Sequence, residues 1–181
     1  MRIISGKHRG KKLFFPDTDK VRPTTDKAKE AVFGILHFLL KETAVLDLFA
    51  GSGALGLEAL SRGAASAVFC DIDLKFVRKN LLLAGETADL YECDFLSALD
   101  RLSARGKTFD FIFLDPPYES DCGELAVKRI YEKGLLKKGG KIIFEHSRAK
   151  DLKDFGDYVT ISDSRSYGTQ GVSFIEFRDM F

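Results

Sequence analysis

Ala28, Ala31, Val32, Ile35, Leu36 and Leu39 recur at spacings of three, four, seven, eight and eleven, which predicts one buried helix face. Pro23 and Thr24-Thr25-Asp26 stand before it as a break and candidate N-caps. Short apolar runs then alternate with helical patterns. The runs predict strands over 44–49, 67–70, 90–93, 109–114 and 141–144. Between them lie helices over 54–60 (stopped at Gly63), 74–84 (with Gly85 as its C′ residue), 95–102 and 124–131 (ended by Gly134). The run 109–114 is apolar except for Asp110, as expected of a strand buried on both faces. The tail changes character: 158–161 and 172–177 are strand-like and are joined by turn-rich 162–171, so a hairpin is expected. A β-α-β-α series predicts an α/β fold, a mainly parallel sheet with helices on both faces, closed here by a C-terminal antiparallel hairpin.

Length and composition change this picture little. The 181 residues suit one domain, and 45% hydrophobic with 30% charged residues excludes disorder. The longest apolar run, 32–40, is broken by Gly34 and His37 and is too short for a membrane span. The basic start leads into no apolar stretch, so no secretory signal is expected. Cys70, Cys93 and Cys122 are scattered, form no C-x-x-C pair and read as reduced thiols of a cytoplasmic protein without a metal site.

Charge changes it more. The net charge is only +1, yet Arg2, Lys7, Arg9, Lys11, Lys12, Lys20 and Arg22 face only Asp17 and Asp19 in the first 22 residues. A solvated tail is one reading of such a segment. Against it, Ile3-Ile4 and Leu13-Phe14-Phe15 are β-prone and separated by Ser5-Gly6 and Gly10, which predicts a small β-hairpin. An ordered basic extension on an acidic body suggests a polyanion partner, with Arg2, Lys7, Arg9, Lys11 and Lys12 as its contacts. We therefore divide the chain into a basic 1–24 extension and a 25–181 main domain.

Asp47-Leu48-Phe49-Ala50-Gly51-Ser52-Gly53-Ala54-Leu55-Gly56 holds a G-x-G-x-x-G between a strand and a helix. Such a loop lets a ligand approach the backbone closely. Alone it would suit a dinucleotide and an oxidoreductase. Asp47, however, lies where a pyrophosphate would come, and a carboxylate repels phosphate while suiting a cationic head. S-adenosylmethionine, with its ammonium and sulfonium, fits that charge; a turn-capping role for Asp47 is the plainer alternative. Asp71, with Ile72 beside it, ends the second strand twenty positions after Gly51, where a carboxylate can accept ribose hydroxyls. Asp94-Phe95 follows the third strand, and Asp94 fits either an adenine amine or a helix N-cap.

Asp115-Pro116-Pro117-Tyr118 follows the fourth strand directly. Two prolines stiffen the turn and remove two backbone donors, which leaves carbonyls as acceptors. A carboxylate, carbonyls and an aromatic ring at this edge form a site for a flat ligand bearing an amine. Tyr118 would stack on a base while Asp115 and the Pro116 carbonyl aim the amine's lone pair.

The set Asp47-x-Phe49-x-Gly51-x-Gly53, Asp71, Asp94-Phe95 and Asp115-Pro116-Pro117-Tyr118 resembles the class I S-adenosylmethionine-dependent amino-methyltransferases, with their Rossmann-like fold. Arg2-Ile3-Ile4-Ser5-Gly6-x-x-Arg9-Gly10, Val21-Arg22-Pro23-Thr24 and Ser166-Tyr167-Gly168 are similar to the methyltransferase D family of the bacterial small ribosomal subunit. This resemblance covers essentially the whole chain and is most specific at its start. Asp71 departs from it, since that family more often has glutamate there. The resemblance implies methyl transfer to the exocyclic N2 of one guanine in 16S rRNA, on the small subunit or an assembly intermediate. It further implies S-adenosylmethionine as cofactor, Arg22 and Thr25 at its border, Tyr167 as an RNA contact, and a monomer. A DNA adenine-N6 methyltransferase shares the catalytic turn but needs a recognition insertion for which this chain has no room. A noncatalytic RNA-binding protein on the same fold would have no use for Asp115.

Overall fold

The computed structural model describes residues 1–16, 26–117, 120–150, 152 and 155–178. Its elements run α1 (Asp26–Leu36), β1 (Ala44–Asp47), α2 (Ala54–Ser61), β2 (Ser66–Asp71), α3 (Lys75–Ala84) and β3 (Asp89–Glu92). They continue with α4 (Phe95–Ala104), β4 (Phe109–Leu114), α5 (Cys122–Glu132), β5 (Leu136–Ser147), β6 (Val159–Tyr167) and β7 (Gln170–Phe177). The strands form one sheet in the order β3-β2-β1-β4-β5-β7-β6. β3 to β5 are parallel, while β7 runs antiparallel to both β5 and β6.

Alternate side chains of the central strands point to opposite faces, and both faces are apolar. Val45, Phe69, Phe111 and Phe113 pack with α1, α2 and α3, whereas Leu46, Val68, Ile112 and Leu114 pack with α4 and α5. Asp110, the polar residue inside β4, accepts from the Ala44 amide and from Lys137 Nζ, each at 2.8 Å. The chain leaves β1 toward β2 and β3, then returns to β4 on the other side of β1. The carboxyl ends of β1 and β4 therefore flank a topological switch point, where open α/β sheets hold ligands.

The first residues pair as expected but sparingly. A single bridge joins Arg2 to Lys12, with Ile3 N donating to Lys11 O at 3.0 Å and Leu13 N to Met1 O at 3.1 Å. Ile3 and Leu13 are buried in the core against α1 and α2. The Glu58 carboxylate of α2 accepts the amides of Ile4 (2.9 Å) and Ser5 (3.0 Å) and also takes Arg62 Nε at 2.8 Å. Lys29, fully buried, approaches Glu58 at 3.3 Å and donates to Arg2 O at 2.6 Å. Gly6 lies so close to α2 that a Cβ would stand 1.8 Å from the Ser61 carbonyl, and its φ of +86° suits only glycine.

Most boundaries shift by one or two residues, and three differ more in kind. α1 stops at Leu36, and Phe38 beyond it is 91% exposed, so the periodicity through Leu39 overran the helix. β5 begins at Leu136, before the apolar run, with a register shift against β4 between Phe109 and Phe111. Residues 162–167 are strand, not turn; the reversal is confined to Gly168-Thr169. β6 is the sheet's edge, so its outward residues can be polar without losing the ladder to β7. No described helix is long and apolar enough to cross a membrane.

Candidate active site

β1 delivers Asp47 to the switch point with its side chain 1% exposed. The glycine loop folds back on itself, with Ala50 N donating to Cys70 O at 2.9 Å and Gly53 N to Ala50 O at 2.7 Å. Asp47 Oδ2 accepts the Gly56 amide at 2.9 Å, which satisfies one of the donors that the first turn of α2 leaves without a helical partner. Gly56 itself packs on β2: a Cβ there would lie 2.4 Å from the Phe69 ring. Burial raises the Asp47 carboxyl to about 8. The Gly56 hydrogen bond opposes that rise, and the nearby charges of Asp115 and Asp71 add to it. Asp47 thus holds the loop, as the turn-capping alternative anticipates, and three carboxyl groups crowd one crevice.

Asp71 stands at the carboxyl end of β2, where Oδ2 accepts the Gly51 amide at 2.8 Å. Ile72 follows it with 79% of its surface exposed, an uncovered apolar side chain at the mouth of the crevice. Phe49 and Phe95 are half-buried, their ring centroids 5.2 Å apart. Asp94 accepts from the Ser97 amide (2.9 Å) and the Ser97 hydroxyl (2.6 Å), so it is the N-cap of α4. The Ser97 hydroxyl, helped by the backbone, holds the Asp94 carboxyl below the usual carboxylate range.

Asp115 follows β4 half-buried, with Pro116 buried and Pro117 exposed. The Pro117 carbonyl accepts from the Ser120 hydroxyl at 2.7 Å and the Ser120 amide at 3.2 Å. This corrects the expectation that the diproline carbonyls are left open: Ser120, three residues on, closes the turn on Pro117. Tyr118, Arg22 and Thr25 lie outside the described residues.

Beside the turn, β5 carries polar residues that the pattern did not single out. Glu145, one position past the Leu114–Phe144 pairing, accepts from Gln170 Nε2. His146 bonds Ser173 Oγ at 2.9 Å and the Ser147 carbonyl at 2.8 Å, and burial pulls its pKa below the ordinary histidine value. Asn80 of α3, fully buried, was also missed. Its Oδ1 accepts Phe14 N at 2.7 Å, and its Nδ2 donates to Phe14 O and Ser52 O, each at 2.8 Å. A buried amide at the helix spacing of Val77, Leu81 and Ala84 was the signal.

The basic segment is not uniform. Arg2, Arg9 and Lys12 are exposed, while Lys7 pairs with Glu86 at 2.5 Å and Lys11 Nζ bonds the Leu83 carbonyl at 2.9 Å. Tyr167 is half-buried on the last pair of the β6–β7 ladder, opposite Gln170.

Residues 1–176 match a family model described as Conserved hypothetical protein 95. The chain is 37% identical to YlbH of Bacillus subtilis, a protein provisionally named an rRNA methyltransferase, over 98% of this chain and 100% of the relative. It is 36% identical to Ribosomal RNA small subunit methyltransferase D of Haemophilus influenzae, over 84% of this chain and 81% of that one. Among solved structures it resembles yhhF of Escherichia coli, provisionally described as a methyltransferase. That likeness has a TM-score of 0.83 and 30% identity, and covers 98% of this chain and 97% of that chain.

Proposed function

This chain belongs to the Conserved hypothetical protein 95 family, and we propose that it is an S-adenosylmethionine-dependent methyltransferase that modifies the exocyclic N2 of a guanine in small-subunit (16S) rRNA. The observation that carries the reading is the crowding of Asp47, Asp71 and Asp115 at the switch point beside a diproline turn. Carboxyl groups brought together there disfavour a pyrophosphate, and a cationic ligand beside Asp47 would favour the charged form that burial opposes. The names of the full-length relatives supply the rRNA, and the name of one supplies the small subunit.

The residues present fit the cofactor. Ile72 and the Phe49–Phe95 pair offer apolar surface to an adenine, and Asp71 offers its carboxylate to a ribose. S-adenosylmethionine, when bound, supplies a methyl group already activated by its sulfonium. Asp115 would accept an N–H of the guanine amine and hold its lone pair toward the methyl that the cofactor would supply. The chain contributes mainly proximity and electrostatics. The amine's surplus proton leaves to Asp115 or to water. Tyr118 stacks on the base, which leaves its own stack to reach the turn.

In this reading the 1–24 extension grips RNA for the 25–181 domain. The enzyme works as a cytoplasmic monomer on the small subunit or its assembly intermediate. The test is incubation with labelled S-adenosylmethionine and, separately, small-subunit particles, their naked RNA, and DNA. Label is expected in the RNA of one or both ribosomal substrates. Label in DNA alone would favour the adenine-N6 alternative, and no transfer would favour a noncatalytic binder.

A further inference from the structure

Aromatic and cationic side chains meet where the N-terminal segment lies against α3. Phe14 follows buried Leu13 yet is 51% exposed, and its backbone is pinned at both N and O by the buried Asn80. A large ring is thus presented to solvent on a fixed backbone. On α3, Lys75 and Phe76 stand four and three positions before Lys79, the two spacings that bring helix side chains together. Lys79 Nζ lies 5.8 Å from the centroids of both Phe14 and Phe76, and Lys75 Nζ lies 5.7 Å from Phe76. Lys75 and Lys79 are exposed, and among the described residues neither forms an ion pair with a carboxylate. Phe15, 44% exposed, extends the apolar part of the strip.

We propose that the RNA grip runs from the basic segment onto α3, where Phe14, Lys79 and Phe76 form a strip that stacks and charge-pairs an unpaired stretch of RNA. The inference rests on the rRNA reading above and names a surface that the reading does not assign. Aromatic rings interleaved with cations are what single-stranded nucleic acid requires, since every base has a π-face and every step carries a phosphate. A protein partner would be better served by an apolar patch free of desolvated ammonium groups. The strip also lies on the helix whose Asn80 contacts Ser52, so RNA held there lies next to the cofactor loop.

The test uses the full chain and an unpaired small-subunit RNA segment carrying 2-aminopurine, with affinity, fluorescence quenching and methyl transfer read together. Phe14→Ala should weaken RNA binding about 5–100-fold and relieve quenching. Phe14→Leu, which keeps apolar area without a π-face, should not restore either. Lys79→Gln should lower the slope of log affinity against log salt by about 0.7–0.9. Melting temperature and S-adenosylmethionine affinity should stay at the wild-type values in all three. Wild-type RNA affinity and quenching in Phe14→Ala would overturn the strip. So would a loss seen only with assembled particles and not with naked RNA, which would assign the patch to a protein. If the wild type itself neither binds nor methylates any RNA, the underlying reading fails instead, and the two failures are distinct.

Discussion

Asn80 Nδ2 donates to the Ser52 carbonyl at 2.8 Å, and the same side chain holds both backbone groups of Phe14. One buried amide therefore ties the basic N-terminal segment to the glycine loop, with its three hydrogen-bonding groups in use and none facing water. The proposed substrate grip and the glycine loop are joined mechanically at this point.

Asn80→Ala should strip partners from Phe14 N, Phe14 O and Ser52 O at once. Each buried group left unpaired costs about 1–3 kcal/mol. Denaturant unfolding should show a loss of several kcal/mol, and calorimetry should show weaker S-adenosylmethionine binding as the loop relaxes. A loss confined to stability, with cofactor affinity unchanged, would show that the tie does not reach the loop's function.

Glu58 is the second anchor of the same segment. Glu58→Ala would leave Lys29 buried without its ion-pair partner, and removing one partner of a buried pair costs about 3–5 kcal/mol. Burial already pulls the Lys29 ammonium below its ordinary value, with Glu58 opposing that shift. Residues 1–13 should also become protease-sensitive, because the Ile4 and Ser5 amides lose their acceptor.

The Asp47 carboxyl, raised to about 8 by burial, gives stability a pH dependence of known sign. From about pH 4 to 8 the native state keeps a proton that the unfolded chain has released, so Asp47 makes stability fall as pH rises. The slope is at most about 1.4 kcal/mol per pH unit. His146, held below its ordinary value by burial, acts oppositely: the unfolded chain binds the extra proton, and stability rises with pH through the histidine's range. Comparing wild type with Asp47→Asn isolates the first effect. The variant, whose Oδ1 can still accept from Gly56, should gain on the wild type in urea midpoint between pH 5 and 8. Parallel curves would contradict the assignment.

Asp71 and Asp115 should divide the kinetic cost between binding and turnover. Asp71→Ala should weaken S-adenosylmethionine binding about 10–150-fold, through lost ribose hydrogen bonds and release of the Gly51 amide. Asp115→Ala should lower turnover about 100-fold or more while cofactor affinity stays within a few-fold. Steady-state kinetics and calorimetry on both variants decide it.

Neutralising Arg9, Lys11 and Lys12 together should flatten the salt dependence of RNA binding by about two to three in slope. Lys11 keeps its charge while it bonds the neutral Leu83 carbonyl, so it still counts toward that slope. Neutralising Lys7, which is paired with Glu86, should change the slope less than neutralising Arg9.

The parallel half of the sheet was legible because β1, β2 and β4 are apolar runs and the helices between the strands are periodic. Strand 109–114 was found to the residue. β6 was not legible over its full length: an edge strand needs apolar residues on one face at most, and Ser162 to Ser166 read as turn. At the site, spacing located Asp47, Asp71 and Asp115, but not what their oxygens do. Asp94 became a helix cap, and Ser120 took the Pro117 carbonyl, because both are local bonds within three residues that spacing alone does not distinguish from ligand contacts. Asn80 and Glu58 act over more than fifty residues of sequence, and no local pattern reports such a partner.

The central claim is that the turn at Asp115 methylates an amine of rRNA, and nucleoside analysis by mass spectrometry of digested small-subunit RNA tests it most directly. Wild-type enzyme with S-adenosylmethionine should yield N2-methylguanosine as the one new nucleoside, and Asp115→Ala should reduce it about 100-fold or more. A methyl group on a ring carbon, a ribose oxygen or an adenine amine, or an undiminished yield from Asp115→Ala, would contradict the account.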